Sequence, residues 1–186
     1  MGDNVFLTTE RLYFRQFTSH DAPLLYALDS DPEVMRYISK GQPTPLSRIE
    51  QDLLPQWIRH STATPYLGYW AVHEQASGEF IGWFHLRPDR YNPQEIELGY
   101  RLKRQVWGKG YATEGAGALL ALAFAQGVER VVARTLVDNL ASRRVMEKCG
   151  LQCEEYFTYD ASLLPGWTAT ERQAVKYGVH RDHVTP

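Results

Sequence analysis

Cysteine is nearly absent from this chain of 186 residues, and neither acid nor base predominates. The two cysteines, Cys149 and Cys153, are spaced neither as a redox Cys-x-x-Cys nor as half of a zinc-binding pair, so they read as structural or incidental thiols. The six histidines are scattered without a helical pair or a carboxylate partner, and no metal is expected. A net charge of -2 and a pI near 6.3 leave no basic footprint, which argues against a nucleic-acid partner. No stretch approaches the roughly 18 apolar residues of a membrane span, and residues 1–9 lack a basic region followed by an apolar run. A cytoplasmic protein without a membrane partner is the expectation. Repeats, low-complexity segments and linker-like boundaries are also missing. The 44% hydrophobic content suffices for one substantial core, so a single domain over residues 1–186 is expected. Five Trp and eleven Tyr suit either a core or the walls of a cleft and decide nothing.

What the chain does contain is a succession of strand and helix patterns. Residues 7–17 alternate as a first strand, with Leu12 and Phe14 on one face. Thr18 to Asp21 reads as an acidic capping box opening a helix to about residue 30, and Asp31-Pro32 as the capped start of another. Residues 46–60 have near-helical apolar spacing that Pro55 should kink or shorten. Residues 69–73 and 80–86 form a hairpin pattern around Gln75 to Gly78, and residues 95–102 a further strand. Residues 111–126 are a helix stopped by Gly127, with Gly115 and Gly117 inside it. Each of these costs about 1 kcal/mol relative to alanine, which suggests close backbone packing, with a tolerated imperfection as the alternative. A β-branched strand over 130–137, a helix over 139–149 closed by Gly150, and strands over 151–159 and 171–179 complete a mixed α/β pattern.

Between the strand ending at Leu102 and the helix starting at Tyr111 lies Gln105-Val-Trp-Gly108-Lys109-Gly110-Tyr111-Ala112-Thr113. A glycine-rich turn opening a helix is an anion site, because glycine lets the backbone approach and the first helical amides point unpaired donors outward. Pyrophosphate is the natural guest; the plain alternative is a tight turn with no ligand. A dinucleotide fingerprint would need a glycine at Thr113, and a Walker A loop would need Ser or Thr at Gly110.

Gln105-x-x-Gly108-x-Gly110 instead resembles the acyl-CoA-binding signature of the GNAT superfamily of N-acetyltransferases. Thr8-Thr-Glu-Arg-Leu-Tyr-Phe-Arg15, Glu97-Leu-Gly-Tyr-Arg-Leu102, Trp107-Gly-Lys-Gly-Tyr-Ala-Thr-Glu114 and the run from Asn139 to Gly150 are similar to the branch of ribosomal-protein N-terminal acetyltransferases of RimJ/RimL type. The resemblance implies an α/β (α+β) fold: a mixed, mostly antiparallel sheet with helices on both faces, splayed between its fourth and fifth strands, here 95–102 and 130–137. It implies acetyl-CoA as co-substrate, transfer to a primary amine by direct attack in a ternary complex, and no metal.

Residue by residue, the amides around Gly108, Gly110, Tyr111, Ala112 and Thr113 would anchor pyrophosphate, with Lys109 adding charge and Gln105 an amide. A solvated surface lysine is the alternative for Lys109. By resemblance, main-chain groups near Leu98 and Tyr100 would pair with the pantetheine arm and aim an amide at the thioester carbonyl. Asn139 would cap its helix or reach that arm.

The acceptor ammonium must lose a proton before it can attack. Glu95 and Glu97, two apart on one strand face, are candidates if burial raises their pKa; the alternative is that both face solvent. Glu97 is preferred because it matches the branch's Glu-x-Gly-Tyr. His73 and His85 are weaker alternatives and read as ordinary strand histidines. Many superfamily members protonate the departing thiolate from a helix tyrosine, but Met146 stands at that position. Ser142, which leads the inward face shared with Val145, Met146 and Cys149, is the candidate in its place, or else a serine bonding its own helix. Arg143 and Arg144 either meet a CoA phosphate or form a solvated face. The acceptor is a protein N-terminus or a small-molecule amine. The connection over 160–170 would shape its site or form a homodimer contact. Two rivals remain: a non-catalytic acyl-CoA-binding or sensing domain, which Met146 favours, and a nucleotide-binding α/β domain.

Overall fold

A computed structural model of the chain describes residues 5–183, with 62, 63 and 183 described by backbone alone. The reading of residues 1–9 as free of a leader therefore falls partly outside the described residues. The strands are β1 Val5–Thr8, β2 Leu12–Gln16, β3 Gly68–Glu74, β4 Phe80–Pro88, β5 Ile96–Leu102, β6 Arg130–Leu136, β7 Gln152–Thr158 and β8 Gln173–His180. They form one eight-stranded sheet in the order β1-β2-β3-β4-β5-β6-β8-β7, antiparallel except at β5 and β6. The helices are α1 Ala22–Asp29, α2 Pro32–Ser39, α3 Leu46–Arg48, α4 Leu54–Ala63, α5 Tyr111–Ala125 and α6 Leu140–Lys148.

Alternation along the strands assigns the residues to two cores. Leu12, Phe14, Trp70, Val72, Phe84, Leu98 and Leu102 face α5 and α6, where Leu119, Leu120 and Met146 cover them. Ala71, Phe80 and Trp83 face the other way and pack with Leu25, Leu28, Ile49, Leu54 and Trp57 of the early helices. Helices therefore lie on both faces.

Residues 7–17 are not one strand. They fold into an antiparallel hairpin, with Leu7 opposite Phe14. The break comes from polar partners distant in sequence. Thr9 donates its hydroxyl to Glu114 at 2.6 Å, and Glu114 also accepts the Arg11 backbone N–H at 2.8 Å. The extra strand makes the splayed pair the fifth and sixth strands of this sheet.

The helix boundaries follow their local chemistry. Asp31 caps α2 by accepting the Glu33 amide at 2.9 Å, with Pro32 in the first turn. Pro55 does not end the helix before it. A π-helical turn over Ile49–Leu53 joins α3 to α4 and places the proline in the first turn of α4, where its missing N–H matters little.

The two glycines of α5 differ. A Cβ on Gly115 would meet the Phe84 ring at 2.5 Å, whereas one on Gly117 would meet nothing within 4 Å. Gly115→Ala is expected to destabilise the protein by about 1–3 kcal/mol through overpacking. Gly117→Ala should stabilise it by up to about 1 kcal/mol. Denaturant unfolding of both variants measures this difference.

β5 and β6 run parallel, joined by the α5 crossover, and pair only at Ile96 with Val131 and Glu97 with Val132. Beyond Glu97 they diverge. The backbone edge of β5 that faces this gap has no strand partner, so its polar groups are available to a ligand.

Candidate active site in the gap between β5 and β6

The gap opens into a cleft of about 740 Å³ that reaches both faces of the sheet. Leu98 and Tyr100 line it on the α5/α6 side, and Glu97, Gly99 and Arg101 on the other. Alternation along β5 thus divides one cleft into two chemically different halves.

The loop before α5 builds the first half. Gly108 and Gly110 have φ of +73° and +84°, conformations that favour glycine, and a Cβ on Gly108 would meet no protein atom within 4 Å. Gly108, Gly110, Tyr111, Ala112 and Thr113 line the cleft, while Gln105 and Lys109 stand on the exposed outer side of the loop. The loop is firmly held. Val106 is buried, the Trp107 indole donates to the Leu102 carbonyl at 2.9 Å, and the Arg11 guanidinium donates to the Lys109 carbonyl at 2.9 Å. Arg11 also pairs with Glu114 at 2.6 Å and lies over the Tyr111 ring, whose hydroxyl donates to Glu74. The sequence reading gave Arg11 and Trp107 no part in the site.

α6 closes this half. Asn139 caps the helix, its side-chain oxygen accepting the Ser142 amide at 3.2 Å, and both residues line the cleft. The Ser142 hydroxyl lies beside the Tyr100 phenol. Burial pushes that phenol up to about 12, against the lowering effect of Ser142. Met146 is buried beside them. Arg143 is turned away from the cleft and donates to the Tyr177 hydroxyl at 3.1 Å and the Val137 carbonyl at 3.2 Å. Arg144 and Lys148, one helical turn apart, border the cleft.

The second half carries the charge. Glu97 is 14% exposed at its side chain and forms an ion pair with Arg87, with Arg134 at 3.8 Å. Burial raises its pKa above the usual carboxylate range; Asp89 adds to the rise, while Arg87 and Arg134 oppose it. Glu95 does not share this position. It precedes β5 at the closed end of the gap, where Arg130 at 2.7 Å and Lys176 at 2.8 Å hold it. Burial alone would raise the Glu95 pKa, but Lys176 and Arg130 together keep it lowered.

Of the two histidines, His73 stacks on Tyr13 at 4.9 Å and bonds the Gly78 carbonyl through Nδ1 at 3.0 Å. His85 lines the cleft. It lies on the same β4 face as Arg87, opposite Gly99 in the β4/β5 register. Among the described residues no cluster of three His, Cys, Asp or Glu side chains is placed to hold a metal. No described helix is long and apolar enough to cross a membrane.

A sheet split between parallel strands, with a helix N-terminus lining the split, is the arrangement expected of an acyl-CoA-dependent acyltransferase. The sequence comparisons agree. Residues 11–152 match the acetyltransferase (GNAT) domain model, and the chain belongs to that family. It is 34% identical over 165 residues to the FsC-acetyl coenzyme A-N(2)-transacetylase of Aspergillus fumigatus, covering 83% of this chain and 67% of that protein. An acetyltransferase (GNAT family) structure from Bacillus anthracis superposes with a TM-score of 0.77 at 23% identity, covering 95% of this chain and 98% of that one. RimL, a ribosomal L7/L12 α-N-protein acetyltransferase in complex with coenzyme A, superposes at 0.76 with 17% identity over 97% and 100% of the two chains. The protein is a GNAT acetyltransferase that uses acetyl-CoA.

Proposed function

We propose that the protein transfers the acetyl group to a primary amine by direct attack within the cleft, in the manner of the RimJ/RimL-like branch. The observation that carries this reading is Glu97, a carboxylate only 14% exposed and of raised pKa, lining the same cleft as the glycine loop and Ser142.

In this reading the amides from Gly108 to Thr113 hold pyrophosphate, Arg144 and Lys148 supply charge at the cleft mouth, and Gln105 and Lys109 add a donor and a charge from the outer side of the loop. The free edge of β5 near Leu98 and Tyr100 pairs with the pantetheine arm and, with Asn139, sets the thioester across the gap. A backbone donor there stabilises the oxyanion without reorganising. Glu97 supplies the negative charge that favours loss of the first proton from the acceptor ammonium. The nitrogen lone pair then forms the C–N bond, the C–S bond breaks, and its electron pair leaves on sulfur. Ser142, in the place of the tyrosine that Met146 replaces, hands its proton to that sulfur and takes up the second proton that the nitrogen sheds as the amide forms.

The acceptor is a primary amine presented by a small molecule or a protein N-terminus. The name of the Aspergillus relative, an N(2)-transacetylase acting on FsC, makes an amine of that type the first to try. The experiment is a thiol-release screen over FsC-type amines, amino acids, aminoglycosides and N-terminal peptides, with mass spectrometry of each product. Acetylated amine in step with released thiol is the expected result; thiol released only with free acetate would overturn the reading.

A further inference from the structure

His85 stands opposite Gly99 in the β4/β5 register. Its ring lies so close over that glycine that a Cβ there would fall 2.6 Å from Cε1. Trp83 stacks beside it at 5.7 Å, and Tyr69 meets it edge-on at 5.0 Å. The residue is 8% exposed, and neither ring nitrogen has a hydrogen-bond partner among the described residues. Folding rarely leaves a buried polar group unpaired, and such a group in a cleft wall is placed to meet a ligand. The charged and titratable groups around the ring are Glu97, with Oε2 at 3.9 Å from Nε2, Arg87 on β4, Arg101 on β5 and Tyr69 on β3. Asp29 of α1 pairs with Arg101, and His60 of α4 lies beyond Tyr69. Burial, followed by Arg87 and Arg101, holds the imidazole well below the ordinary histidine range, so it is neutral at neutral pH.

We propose that His85 is the catalytic residue that receives the acceptor's proton, with Glu97 as the carboxylate that stabilises the imidazolium and Gly99 as the seat of the ring. The proposal rests on the acetyl-transfer reading above. Glu97 is engaged by Arg87 and Arg134, whereas the unprotonated ring nitrogen of neutral His85 has no partner and can accept a proton. One N–H bond of the ammonium breaks and its proton moves to a ring nitrogen. The freed lone pair forms the bond to the acetyl carbon, and the thiolate leaves as described. The second proton shed by nitrogen accounts for the one that reaches sulfur, and the imidazolium proton passes to solvent at the cleft mouth. The division of labour follows that of other base and orienting-carboxylate pairs.

The test is the pH profile of kcat and KM for the parent, His85→Gln and Gly99→Ala with an amine found to be acetylated, together with calorimetric affinity for acetyl-CoA as the check on folding. His85→Gln is expected to lower kcat about 10²–10³-fold near neutrality, leaving acetyl-CoA affinity within about twofold. The deficit should shrink as pH approaches the acceptor's own pKa, where the amine arrives already deprotonated; a structural role would not produce that recovery. Gly99→Ala, which displaces the ring, should show the same profile. Imidazole nitrogen NMR, assigned by its loss in His85→Gln, should show His85 neutral throughout pH 6–8. A charged His85 at pH 7, or equal activity of His85→Gln at every pH, overturns this proposal alone. A parent that acetylates no amine overturns both readings.

Discussion

Gly108→Ala combined with Gly110→Ala is expected to weaken acetyl-CoA binding by about a hundredfold while leaving the sheet folded. Both residues occupy left-handed backbone, at φ of +73° and +84°. An L-residue there costs about 1–2 kcal/mol, so two such residues approach 3 kcal/mol, or about two powers of ten in affinity. The loop escapes that strain by leaving its present conformation, and the amides of Tyr111, Ala112 and Thr113 then lose their aim. Steric crowding within the protein is not the cause, since a Cβ on Gly108 would touch nothing within 4 Å and one on Gly110 would meet only the end of Arg11 at 3.3 Å. Lys109→Ala provides the contrast. Its side chain is exposed and its structural bond is made by the carbonyl, so only a few-fold loss is expected. Calorimetric titration with acetyl-CoA reads both effects. Unchanged affinity in the double variant would remove the loop from the binding site.

Glu97→Gln is expected to lower kcat by about 10²–10⁴-fold with little change in acetyl-CoA affinity. Glutamine keeps the shape but loses the charge that draws the acceptor's proton. In the parent, burial raises the Glu97 pKa, so activity that needs the ionised carboxylate is lost at a higher pH on acidification than an ordinary glutamate would allow. The acid limb of the parent's pH profile should therefore lie above the usual glutamate range and be absent from the residual activity of Glu97→Gln. Glu95→Gln is the matched control. Lys176 and Arg130 hold that carboxylate outside the cleft, so its loss should affect stability before activity. Equal kcat in Glu97→Gln and the parent would dismiss Glu97 from the reaction.

Features set by chemistry within a few residues were legible in the sequence. Asp31-Pro32, Gly127 and Gly150 mark helix ends because a cap or a left-handed turn needs only its immediate neighbours, and the loop glycines mark the opening of α5 for the same reason. Alternation places Glu97 on the face of β5 opposite Leu98 and Tyr100, since side chains along a strand take opposite faces whatever surrounds it. What failed depended on partners distant in sequence. The break at Thr9 is made by Glu114, 105 residues away, so local alternation continued through it. Glu95 and Glu97 look alike in sequence, yet Glu95 precedes β5 and is held by Arg130 and Lys176, whereas Glu97 is the last paired residue before the strands part and lines the cleft. His85 was read as an ordinary strand histidine, because its environment comes from Gly99, Glu97 and Tyr69 on two other strands. The Tyr100 phenol carries no sequence signal, because only its place on the strand is visible there. It meets Ser142 of α6 in the cleft, across a fold that spacing alone does not predict.

The most direct test of acetyl transfer in this cleft is to mix the protein with acetyl-CoA labelled in its acetyl group and an acceptor amine, and to follow label and thiol together in the parent and in Glu97→Gln. The account predicts that label appears on the amine nitrogen in step with thiol release, that none remains covalently on the protein, and that Glu97→Gln binds acetyl-CoA yet transfers at least about a hundredfold more slowly. Label retained on the protein, or released only as acetate, would contradict direct attack by an amine held between β5 and β6.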